Sequence, residues 1–175
     1  MRKRLLLFTI AVTMVFVFAS CGGDKPGIVD EIKHTVAQAI KGNIKGEVGK
    51  VYGTQWFEFT IESIEEVGSY AGYEPDDGGI LVDVVITEKG TFDEPSPMGT
   101  FDFYMDSDTF LEYIWPLDPF DGSMMPEEFD LAKDEVVTYH MVFEVPEGLS
   151  DLVLMYTEWD EEESEGATFT INVNL

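Results

Sequence analysis

The sequence predicts an all-β domain, an antiparallel β-sandwich of seven to eight strands. Three observations carry that expectation. After Gly46, apolar and polar residues alternate along most of the chain, which is the period of a half-buried strand. The alternating runs are separated by clusters of glycine, proline and aspartate, with no crossover helix between them, which argues against an α/β arrangement. Apolar residues make up 45% of the 175 and aromatics 13%, enough for one domain with a core despite a net charge of −25.

The chain opens on Arg2, Lys3 and Arg4, followed by an apolar run over residues 5–18 that only Thr9 and Thr13 interrupt. The run ends in Phe18-Ala19-Ser20-Cys21. A positive segment, a short apolar segment and small residues before a cut are the parts of an export signal. The run is shorter than the roughly 20 residues a membrane-crossing helix needs. Residues 1–20 therefore read as a lipoprotein signal peptide and Cys21 as the residue lipidated after cleavage, with fatty acyl chains as the anchor. An ordinary cleaved signal and an uncleaved N-terminal anchor are the other readings. Cys21 is the only cysteine in the chain, and an unpaired cysteine in an exported protein asks for an explanation that lipidation supplies. Two acyl chains hold stably where one is marginal. The expected location is the extracytoplasmic face of a cell membrane, lipid-anchored.

Residues 21–45 read as a lipidated tether. Gly22-Gly23 and Pro26-Gly27 are breakers. Ile32, Val36, Ala39 and Ile40 then recur at helical spacing, so a short helix is expected over 30–41, with Asp30 as its N-cap and Gly42-Asn43 as its stop. It either docks on the domain or stiffens the tether.

The domain is expected over residues 46–175. Phe57, Phe59 and Ile61 alternate with Glu58, Thr60 and Glu62. Ile80, Val82, Val84 and Ile86 repeat the pattern, but Leu81 and Val85 make both faces apolar, which suits a central strand covered on two sides. Phe101, Phe103 and Met105 alternate with Asp102, Tyr104 and Asp106, and residues 109–115 form another short candidate. Val137, Tyr139, Met141 and Phe143 line one face of a strand that Pro146 ends. Leu152, Leu154 and Tyr156 follow, then Phe169, Ile171 and Val173. Residues 68–79, 90–99 and 116–133 read as loops, and 160–166 as a charged hairpin tip.

Several of these segments, in order, resemble a known group. They are Val48-Gly49-Lys50 with Trp56-Phe-Glu-Phe-Thr-Ile61, then Ile80-Leu-Val-Asp-Val-Val-Ile86 and Phe101-Asp-Phe103. Leu131-Ala-Lys-Asp-Glu-Val-Val137 running into Met141-Val-Phe-Glu-Val-Pro146, then Leu152-Val-Leu154 and Tyr156, complete the set. The chain is similar to bacterial lipoprotein domains of unknown function with a telokin-like immunoglobulin fold, attached outside Gram-positive cells. The resemblance implies an immunoglobulin-like sandwich and transfers no catalytic residue. Where such domains often carry an Asn at the end of the second strand, Thr87-Glu88-Lys89 stands here.

Removing residues 1–20 takes away three positive charges and no acid, so the processed chain carries −28. That field repels phosphate polyanions and excludes nucleic acid as a partner. His34 lies in the tether and His140 on the face opposite the core row, which suits neither a serine triad nor a zinc site. No catalytic residue and no cofactor is expected, and the chain reads as a non-enzymatic binding or interaction module. Its expected partners are the membrane, through lipid on Cys21, and an envelope protein or carbohydrate. Calcium is the alternative: Asp106, Asp108, Asp118 and Asp121 offer clustered oxygens, although they do not form the D-x-[DN]-x-[DN]-G loop. Solvated negative surface explains the same residues. An envelope hydrolase using a carboxylate pair is a third reading. Trp56, Tyr104, Trp115 and Trp159 fall on or near the polar-facing phase of their runs, where rings either pack under loops or form a recognition surface.

Overall fold

Alternation fixes which side of each strand is inside. In the computed structural model, which describes residues 42–159 and 165–175, β3 (Phe57–Val67) buries Phe57, Phe59 and Ile61 and leaves Glu58 and Thr60 half-buried between them. A bulge between Ile61 and Ser63 shifts its register on β4 (Gly79–Gly90), and beyond it Ile64 is the residue packed against the core. The residues read as a signal peptide, Cys21, the helix expected over 30–41 and residues 160–164 of the expected hairpin tip lie outside the described residues.

Two sheets face each other. One has five strands: β1 (Gly42–Gly46), β11 (Glu165–Asn172), β10 (Val153–Trp159), β6 (Phe103–Ser107) and β7 (Phe110–Ile114), in that spatial order. The other has four, in the order β2 (Val51–Gly53), β3, β4 and β9 (Val136–Pro146). A two-stranded ribbon, β5 (Ser96–Met98) with β8 (Phe129–Leu131), flanks them. The expected β-sandwich is present, with three differences. There are eleven strands among the described residues, and six of them are only three to five residues long. The pairing is antiparallel except for β1 and β11, which run parallel from Gly42↔Ala167 to Gly46↔Ile171. Strand β1 also takes in residues read as tether, and Gly42-Asn43 opens it, with Thr170 Oγ1 donating to Asn43 Oδ1 at 2.9 Å.

The main core is aromatic. Phe59 is its hub, with ring centroids of Tyr52, Phe57, Phe103, Tyr156 and Phe169 all 5.3–5.9 Å away. These rings come from both sheets, so the cluster is what joins them. Phe101, expected in the buried row with Phe103 and Met105, is instead exposed on a 3-10 turn, Thr100–Asp102.

The outer face of the four-stranded sheet is covered too, as the doubly apolar β4 implied. Leu81, Met124 and Val142 form a second small cluster, with Val67, Tyr70, Tyr73 and Leu117 packed on it. The cover is made by the loops over 68–79 and 116–125. The second also closes the edge of β9: Leu117 N–H donates to Val142 O at 2.7 Å, and Met125 N–H to His140 O at 2.9 Å. A capped edge does not recruit a stray strand. Glu144 holds the first loop, accepting from Tyr73 Oη at 2.5 Å and Asp76 N–H at 2.9 Å.

Two glycines permit close backbone approach, Gly90 between β4 and the segment after β8, and Gly99 between the two sides of the ribbon. A Cβ on Gly90 would lie 2.1 Å from Ala132 O, and one on Gly99 would lie 2.0 Å from Glu127 O. In both cases the added Cβ would strike a backbone carbonyl, so no side-chain adjustment of the neighbour relieves it.

Candidate functional site

Strands β6 and β7 form a hairpin at the end of the five-stranded sheet. Phe103, Met105 and Ile114 point inward and are buried, so alternation puts Tyr104 and Tyr113 on the outer face. Trp115 follows directly after β7. The rings meet there: Tyr104 lies 4.8 Å from Tyr113 and 5.3 Å from Trp115, and Trp115 lies 6.4 Å from the exposed Phe101. They tilt against one another by 44° to 83°. Leu111, on the same strand, is 100% exposed, and Tyr113 is 55% exposed. Among the described residues no strand is hydrogen-bonded to β7 beyond β6.

A cleft opens beside the end of β10. It has a volume of about 460 Å³ and is lined by Trp56, Phe92, Tyr156 and Trp159, with Glu94 and Asp102 among its walls. Thr54 sets the turn that delivers Trp56: its Oγ1 accepts from Trp56 N–H at 3.1 Å and Phe57 N–H at 3.0 Å, and donates to Phe57 O. Trp56 then packs edge-on against Phe92, 4.9 Å between centroids. A neighbouring cleft shares Pro97, Met98 and Asp102 and is bordered by Phe101, so the cleft and the ring strip adjoin.

Buried carboxyls lie behind this end of the sandwich. Glu88 continues the inward row of Val82, Val84 and Ile86, is fully buried, and neither oxygen has a hydrogen-bond partner. Burial, with a smaller contribution from the Asp102 charge, pushes its carboxyl up to about 8. The Tyr156 phenol is pushed well above its usual value, by burial first and then by Asp102, Glu158 and Glu88. Glu158 differs from Glu88 in being satisfied. Its Oε1 accepts from Gln55 N–H and its Oε2 from Ala167 N–H at 3.5 Å, a latch between the two sheets.

The other residues singled out in the sequence are placed separately. His140 faces Asp83, with Nδ1 3.0 Å from both carboxylate oxygens, on the face covered by Tyr70. Ser123, the serine beside it, has its Oγ engaged by Asp121 and by Tyr70 Oη at 2.8 Å. Asp106 and Asp108 belong to the β6–β7 hairpin, where Asp106 Oδ1 accepts from Ser107 N–H. Asp118 and Asp121 belong to the loop over β9. The two aspartate pairs are not brought together, and among the described residues no group of three or more His, Cys, Asp or Glu side chains is arranged to hold a metal ion. Of the four aromatics flagged in the sequence, Tyr104 and Trp115 join the strip, while Trp56 and Trp159 line the cleft. The sequence reading missed Tyr113, Phe92 and the burial of Glu88.

No protein-family model matches this chain, and no curated protein matches it. Several crystal structures do. The ycdA protein of Bacillus subtilis 168, a candidate lipoprotein, is 20% identical with a TM-score of 0.53 over 70% of this chain, which spans 38% of that protein's length. An uncharacterized β-sandwich protein of Clostridium difficile 630 is 13% identical with a TM-score of 0.51, over 75% of this chain and 96% of that one. The secreted protein MPT63 of Mycobacterium tuberculosis is 12% identical with a TM-score of 0.54, over 73% and 97%. What they share with this chain is the sandwich. At such identities the likeness carries the fold alone.

Proposed function

We propose that this chain is a lipid-anchored, extracytoplasmic member of the telokin-like immunoglobulin group that works as a non-enzymatic protein-interaction module. Its docking face is β7 with the ring strip Phe101, Tyr104, Tyr113 and Trp115. The strip is the observation that carries this reading. Tyrosine and tryptophan dominate the residues that carry binding energy in protein interfaces, and an unpaired edge strand offers backbone donors and acceptors to a partner strand. Rings tilted by 44° to 83° form a ridged surface and not the flat platform on which a sugar chain stacks. The net charge of −25 disfavours a second copy and favours a partner with a basic or neutral face. Ser123 Oγ, the hydroxyl beside His140, is engaged by Asp121 and by Tyr70 Oη, which supports the non-enzymatic reading.

Photo-crosslinking in cells tests the docking face. A photoreactive residue in place of Tyr113 should give discrete protein adducts that Leu111→Lys or Trp115→Ala removes, while the same probe at exposed Glu65, on the other sheet, gives none. Equal adducts at both positions, or none at Tyr113, would overturn the assignment. The anchor has its own test. Cys21→Ala should abolish fatty-acid labelling and release or misprocess the protein, and a variant that stayed membrane-bound and correctly cleaved would refute lipidation.

A further inference from the structure

The aromatic cleft beside β10 has a different chemistry from the docking face. We propose that it binds a small organic cation bearing an alkylated ammonium group. Four of its walls are rings, Trp56, Phe92, Tyr156 and Trp159, and an aromatic face presents negative potential to a cation. Two more walls, Glu94 and Asp102, are carboxylates, and no residue lining the cleft is basic. The volume, about 460 Å³, falls in the range of small-molecule sites.

The competing occupants fit less well. An anion meets two carboxylates and a chain of net charge −25. A bare metal ion needs converging oxygens, and among the described residues no such group of three exists. A neutral apolar ligand would bury against the rings while desolvating Glu94 and Asp102 with nothing in return. An alkylated ammonium uses both: its methyl groups pack on the rings and its charge answers the acids.

The test is a titration with choline at constant ionic strength, following tryptophan fluorescence and thermal stability. The neutral isostere 3,3-dimethylbutanol serves as the control. Saturable binding is expected, with choline preferred by about tenfold, the scale of one partly desolvated cation–π contact. Trp159→Ala, at an exposed strand end, should weaken choline binding by about tenfold, and the loss of cation–π contact should reach every alkylated ammonium tested. Glu94→Gln, on an exposed loop, should weaken choline several-fold without changing the melt, so a fold defect in one variant does not decide the outcome. Trp115→Ala should leave choline binding unchanged. Equal binding of the neutral isostere, absence of saturation, or equal losses in the Trp115 and Trp159 variants would overturn the proposal.

Discussion

Phe59→Ala should destabilise the sandwich by about 3–5 kcal/mol, the usual cost of truncating a buried phenylalanine. Phe59 is 1% exposed and touches five other rings drawn from both sheets, so its removal opens a void at the point where the sheets are joined. Collapse into that void is limited, because the neighbouring rings are held by strands of two separate sheets. With one cysteine in the chain no intrachain disulfide can share the load. A domain of this size has a total stability of about 5–15 kcal/mol, so the variant should sit near the edge of folding. Urea unfolding followed by far-ultraviolet dichroism measures the change, and the midpoint of thermal unfolding should fall by about 10 °C or more. A loss under about 1 kcal/mol would mean that the two sheets are joined elsewhere.

How far this architecture could be read in advance follows from strand length. The long strands were legible because β3, β4 and β9 each run through three or more alternations, and the doubly apolar Leu81 and Val85 announced that β4 was covered on both sides. The three-residue strands β2, β5 and β8 were not, since three residues carry no measurable period. Strand β1 was hidden for another reason. Its partner β11 lies over a hundred residues away and runs parallel, and that pairing leaves no local mark, whereas Gly42-Asn43 reads locally as the end of a helix.

The candidate site was legible in part. The phase of the runs picked out Tyr104 and Trp115, but Tyr113 was lost because a register shift between Met105 and Ser107 uncouples the two strands of the hairpin. Phe92 sits in a loop, where no period assigns it a side. Glu88 was available and overlooked: counting by twos from Val82 through Ile86 lands on it, yet Thr87-Glu88-Lys89 was placed at the end of the strand, and a buried, unpaired glutamate is rarely tolerated.

That rarity gives Glu88 the most direct signature in solution. Its carboxyl is raised from 4.5 to about 8 in the folded chain, first by burial and then by the charge of Asp102. Between those values the unfolded chain releases the proton while the folded chain holds it. The stabilising contribution is therefore complete below pH about 4.5 and is lost as pH rises through about 8. At pH 7 the loss is of order 3 kcal/mol, from 1.36 kcal/mol for each unit of pH above the unfolded value. Glu88→Gln keeps the shape and removes the titration. Near pH 4 it should match the parent protein, since both then bury a neutral unpaired group. Its advantage should grow with pH to about 4 kcal/mol or more above pH 8. The acidic surface also weakens the fold as pH rises, but it does so equally in both proteins, and the difference between their urea midpoints isolates the single carboxyl. Parallel stability curves for the two proteins across pH 4–9 would show that Glu88 is not held protonated in the folded state, and the account of its burial given above would fail with it.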